Sequence, residues 1–125
     1  MKAVVFLVAV LGLLAEPTLA QLWQQEARAQ IATIEQAVAP YRNIRNARAD
    51  GWRRSTGHVP LMGEHWSQRN GVDYVVGDRL DLTQPSNLIY AEINGRRELI
   101  AVSYVVRIGA ADPMPEGFAG PADVW

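Results

Sequence analysis

Apolar and polar residues alternate along this chain with two different periods. Over residues 21–50 the apolar positions Ala27, Ile31, Ile34, Val38 and Tyr41 recur with the four-three spacing of one helix face, and Gln, Glu and Arg fill the other. Pro40 interrupts the pattern. It lacks a backbone donor and disfavours helical geometry at Ala39. The spacing therefore predicts a kink, or two helices with Pro40 opening the second. Gly51 is a suitable stop, because a left-handed residue costs glycine little.

The period then changes. "WRRSTGH", 52–58, reads as a loop. Leu61 to Trp66 reads as a short strand or an irregular extended segment, with Pro60 and Gly63 weighing against a regular strand. "NGVDYVVGD", 70–78, holds a short strand between two turn signals. The clearest element is a hairpin. "NLIYAEI", 87–93, leads into "NG", the favoured two-residue turn, and "RRELIAVSYVVRI", 96–108, returns as a long strand. Along it Leu99, Ala101, Ser103, Val105 and Arg107 share one face, and Ile100, Val102, Tyr104, Val106 and Ile108 share the other. The second set is the expected core face. From Gly109 on, glycine, proline and acidic residues dominate, yet Met114, Phe118, Val124 and Trp125 are too apolar to leave in water. This tail is expected to fold back over the sheet. The fold class is α+β: an N-terminal helix, or kinked helix pair, packed on a small antiparallel sheet containing a long hairpin.

The first twenty residues differ in kind. Lys2 precedes the apolar run "AVVFLVAVLGLL", Glu16 and Pro17 break it, and "TLA" ends on a small residue. This is the pattern of a secretory signal peptide, with cleavage expected after Ala20 and a periplasmic or secreted destination. The run of about twelve residues falls short of the roughly 20 that span a bilayer, so contact with the membrane is expected only during export. Residues 21–125 would then form a single domain without lysine.

The chain has 125 residues and no cysteine, which removes disulfides, thiolate metal sites and thiol catalysis. A formal net charge of −1 gives no reason to expect a nucleic-acid partner. A domain of this size must rely on packing, or on a ligand or partner, for its stability.

At "HVPLMGEHW", "LDLTQPSNLIYAEINGRRELIAVSYVVR" and "PMPEGFAGPADVW" the chain resembles a family of small exported bacterial proteins without an assigned activity. The features that carry the likeness are Met62, Gly63, His65 and Trp66, a Met-Gly-x-His-aromatic motif; Leu80, Asp81, Pro85, Leu88 and Tyr90; and the strand Leu99 to Val106. In that family "DVW" is followed by a histidine-containing segment. The resemblance therefore implies a C-terminally truncated member, lacking histidines that would join His65.

Both histidines fall within "TGHVPLMGEHW", 56–66. Imidazole and carboxylate are the ligands of divalent transition-metal sites, so His65, His58 and Glu64 are the candidate metal ligands. Pro60 and Gly63 would supply the turn needed for them to converge. Met62, Trp66 and Trp52 are the candidate wall of a small ligand pocket. The competing reading makes His65 a buried histidine bonded to backbone, and the tryptophans core residues. Adjacent residues on an extended chain point apart, which disfavours Glu64 as an orienting partner for His65. No nucleophile elbow appears, and the reading favours a binder over an enzyme, with a hydrolase using a His–Asp pair a distant third. Arg42, Arg45 and Arg48 lie along one side of a helix, where they complement its dipole or form a carboxylate- or phosphate-binding strip.

The expected function is thus an exported protein that binds a small ligand or a metal. The alternative is a cell-envelope interaction module whose partner is another protein, motivated by the apolar tail and by a hairpin edge open to pairing.

Overall fold

The computed structural model describes residues 16–120. The apolar run at 3–14, and Val124 and Trp125, lie outside them. Helix α1, Leu19–Val38, starts from a capping box: the Thr18 hydroxyl accepts from the Gln21 amide at 3.3 Å, and the Gln21 side chain accepts from the Thr18 amide at 2.8 Å. Cleavage after Ala20 would remove this cap. A 3₁₀ turn, Ala39–Arg42, follows, and α2 spans Ile44–Ala49. Of the two outcomes expected at Pro40, the chain takes the paired helices. Pro40, however, opens the 3₁₀ turn, and the residue that opens α2 is Asn43, whose side chain accepts from the Arg45 amide at 3.0 Å. No helix among the described residues is long and apolar enough to cross a membrane.

Four strands form an antiparallel sheet in the order β1-β2-β4-β5: β1 Trp52–Arg54, β2 Glu64–Gln68, β4 Asn87–Ile93 and β5 Arg96–Ser103. Asn94 and Gly95 turn the β4–β5 hairpin with φ of 51° and 75°, the positive values a two-residue turn needs. Trp66 lies between Arg54 and Leu88 in register, so alternation puts Trp52, Glu64, Trp66, Leu88 and Tyr90 on one face. Val38 and Ala47 close over that face, with Tyr41 and Ile44 beside them. Trp66 meets Tyr90 edge-on at 5.5 Å, and Tyr41 meets Trp52 at 5.7 Å. Burial pushes the Tyr90 phenol up to about 12, which keeps it a donor, and it bonds the Tyr41 carbonyl at 2.6 Å. This bond ties the central strand to the 3₁₀ turn. Packing of the helical part therefore rests on residues 38–47, while most of α1 extends beyond the core.

Four expectations need correction. Residues 52–54 are not loop but strand β1, because burying Trp52 aligns them with Ser67 and Gln68 of β2. Strict alternation fails in β5. Tyr90 pairs with Leu99 and Ile89 with Ala101, leaving Ile100 as the extra residue of a bulge. Leu99 and Val102 therefore both pack on the core, from the two sets assigned to opposite faces, and Ile100 is exposed. The long strand also ends early. After Ser103 the chain leaves β4, held by the Ser86 hydroxyl accepting from the Val105 amide at 2.8 Å. Residues Val106–Arg107 (β6) then pair in parallel with Tyr74–Val75 (β3), the short strand expected within 70–78. Finally, the tail returns not over the sheet but to α1 and Tyr104. Phe118 meets the Tyr104 ring at 5.8 Å, and the Ala119 amide donates to Gln30 at 3.0 Å.

Tyr90→Phe keeps the ring and removes the bond to Tyr41. Losing this part-buried hydrogen bond should cost about 1 kcal/mol, so the variant should unfold at lower denaturant concentration with an unchanged slope. An unchanged midpoint would mean that this bond does not hold the helical segment to the sheet.

Candidate functional site

The segment 56–66 is a tight turn feeding β2. The Val59 amide donates to the Gly63 carbonyl at 2.9 Å, and the Met62 and Gly63 amides donate back to the Val59 carbonyl at 2.9 and 2.8 Å. Leu61 has φ of 65° at the tip, where its side chain is fully exposed, and Met62 is exposed beside it. Gly63 has φ of 75°, and a Cβ there would sit 2.5 Å from the Tyr90 carbonyl oxygen. Only glycine fits that position.

Strand geometry then sorts the candidate ligands. Glu64 turns to the core face. It is 9 % exposed, and its carboxylate accepts from Arg97 Nη2 at 3.1 Å and Trp66 Nε1 at 3.3 Å, with Arg54 Nη1 at 3.5 Å. Burial raises the Glu64 pKa, but the Trp66 bond and the charges of Arg97 and Arg54 outweigh it, and the carboxyl is held below its usual range. His65 turns to the opposite face, half-buried and opposite Ile89. Its amide donates to the Thr56 hydroxyl at 3.0 Å, its carbonyl accepts from the Ser55 amide at 2.8 Å, and its Nδ1 lies 3.5 Å from Thr56 Oγ1. His58 stands exposed in the loop. Among the described residues no three His, Cys, Asp or Glu side chains come together as metal ligands.

The pocket-wall candidates are divided in the same way. Trp66 and Trp52 belong to the core cluster, Trp52 with an indole N–H that finds no partner among the described residues. Met62 stays outside on the turn.

A groove of about 1010 Å³ lies elsewhere, between α1, the 76–82 loop and the 113–120 tail. Val76, Leu80, Leu82, Met114 and Phe118 supply the apolar part of its lining, and Glu26, Asp78, Arg79 and Glu116 are its charged residues. Several anchors fix its walls. Asp81 accepts from the Thr83 amide and hydroxyl at 2.9 and 2.7 Å and from Gln84 Nε2 at 2.7 Å, bonds that lower its pKa. The Tyr104 hydroxyl donates to the Leu82 carbonyl at 2.7 Å, and the Tyr74 hydroxyl to the Gln84 carbonyl at 2.8 Å. Burial raises the pKa of both phenols, so both remain donors. Sequence reasoning singled out Met114 and Phe118 but placed them over the sheet, and did not join them to α1 and the 76–82 loop.

Compared with protein-family models, curated proteins and solved structures, the chain matches none.

The Glu64 carboxyl gives a pH test. Its folded pKa is depressed, so its stabilisation is complete above about pH 4.5, the ordinary value, and is lost as pH falls through the lower folded value. Glu64→Gln should cost about 2 kcal/mol at pH 7, the scale of hydrogen bonds to a charged group whose arginine partners still reach water. The difference in melting temperature between the variant and the wild type should shrink steadily below pH 4.5. A difference independent of pH would contradict the ion-pair assignment.

Proposed function

We propose that this chain is an exported binding module whose ligand is an amphipathic cation held between α1, the 76–82 loop and the tail. The groove carries the reading. Its volume of about 1010 Å³ is at the upper end of ligand-pocket sizes, its lining is polar and apolar in nearly equal parts, and its charged residues are three acids and one arginine. An apolar body would cover Leu80, Leu82 and Met114 while a cationic head meets Glu26 and Glu116, neither of which is in an ion pair among the described residues. Asp78 is the less available acid, since it accepts from the Val75 amide at 2.9 Å. A second reading, docking of an envelope protein on α1, is favoured by exposed Leu22, Trp23 and Ile31.

Dodecyltrimethylammonium and dodecyl sulfate share an apolar tail and differ in the sign of the head. Calorimetric titration of each, well below its micelle concentration, should give saturable binding of the cation and weaker binding of the anion. Glu26→Gln/Glu116→Gln should weaken the cation roughly fivefold, the scale of two partly exposed charges. Equal affinities for both heads, unaltered by the substitutions, would remove the groove reading. Mass that rises with concentration, with no binding of either probe, would favour the docking surface.

A further inference from the structure

We propose that Arg48, Arg54 and Arg97 form a phosphate-binding site over the Trp66 indole, separate from the groove. Three elements deliver the guanidinium groups to one place: Arg48 from α2, Arg54 from β1 and Arg97 from β5. Arg54 and Arg97 converge on the same Glu64 oxygen, at 3.5 and 3.1 Å. Arg48 and Arg97 lie over the Trp66 ring, 5.5 and 6.0 Å from its centroid. Arg48 is held from behind, because Arg53 Nη1 donates to its carbonyl at 2.7 Å and to the Trp52 carbonyl at 2.8 Å, pinning the end of α2 to β1.

The charges do not balance. Glu64 meets two of the three guanidinium groups, and no other carboxylate pairs with any of them among the described residues. Glu92 is opposite Arg97 in the β4–β5 register but forms no ion pair with it among the described residues. Most of the donors are also unspent. Arg54 and Arg97 each direct one nitrogen at Glu64, and the Arg48 guanidinium donates to no protein atom among the described residues. The Arg54 side chain is 57 % exposed and that of Arg97 35 %, so the free donors face solvent. A phosphate group matches this arrangement, since it offers two negative charges and several oxygens to a planar, multi-donor set. Glu64 and Trp66 act as positioning residues. They hold the guanidinium groups in place before the ligand arrives, which reduces the ordering cost of binding.

The test uses the full chain, with inorganic phosphate as probe, at about 10 mM ionic strength so that screening is weak. Amide chemical shifts should move saturably for residues around Arg54 and Arg97. Arg54→Gln should weaken binding roughly tenfold, the loss of one charge-assisted hydrogen bond. This side chain is more than half exposed and makes the longer of the two contacts to Glu64, so the fold should persist, as checked by circular dichroism. Glu92→Gln should tighten binding, because it removes the competing charge across from Arg97. Arg69→Gln, outside the cluster, should change nothing. Phosphatidylglycerol and phosphatidylcholine vesicles then separate the two sources of phosphate. Cosedimentation with the first alone, lost in Arg54→Gln, would assign a lipid headgroup, and binding of soluble phosphate alone would assign a free ligand. The proposal is overturned if neither probe binds, or if Arg54→Gln and Arg69→Gln behave alike, which would mean diffuse attraction without a site.

Discussion

The close approach of Gly63 to the Tyr90 carbonyl sets the phase of the central sheet. A side chain at 63 would collide with that carbonyl oxygen at 2.5 Å, and the φ of 75° is one that other residues adopt only at a cost. Strand β2 therefore starts immediately after the turn, with Glu64 opposite Tyr90 and Trp66 opposite Leu88. A slip of one residue would send Trp66 to the outer face and bring His65 into the core. The aromatic core, the Glu64 ion pairs and the outward placement of His65 are three results of one register.

That register also decides what chemistry the chain can assemble. The adjacent polar residues Glu64 and His65 serve opposite faces. The first gathers arginines from β1 and β5, and the backbone of the second joins the Ser55 amide and the Thr56 hydroxyl. Trp66 unites the inner set, as the donor to Glu64, the ring beneath Arg48 and Arg97, and the edge-on partner of Tyr90. The groove depends on a different set of constraints. Phenol hydroxyls of Tyr74 and Tyr104 hold the carbonyls of the 81–84 region, and Gln30 receives the tail. The sheet face and the groove can therefore be perturbed separately.

The α+β class, the two helical segments and the "NG" hairpin were legible because each rests on local signals: a helical apolar period, a proline, a two-residue turn. The faces of β5 were not. A bulge at Ile100 resets alternation, and no residue type there announces it. Residues 52–54 read as loop because "WRR" alternates too briefly, and their strand character comes from pairing with Ser67 and Gln68. At the candidate site, the rule that neighbours on a strand point apart already separated Glu64 from His65. Trp66 was legible as core, whereas Trp52 read equally as pocket wall, and pairing of β1 with β2 is what buries it. The groove was not, since it joins residues 26–30, 76–82 and 113–120, whose proximity follows from the early end of β5 and the route of the tail.

The most direct measurement is the thermal unfolding of Gly63→Ala alongside wild type, followed by near-ultraviolet circular dichroism from the buried tryptophans. The left-handed backbone and the carbonyl collision together should cost at least about 2 kcal/mol, a fall of roughly 10 °C in Tm for a domain of this size, with a weakened aromatic signal. A variant that melts with the wild type and keeps its aromatic spectrum would show that Gly63 does not set the register, and the account of Glu64, His65 and the arginine cluster would fall with it.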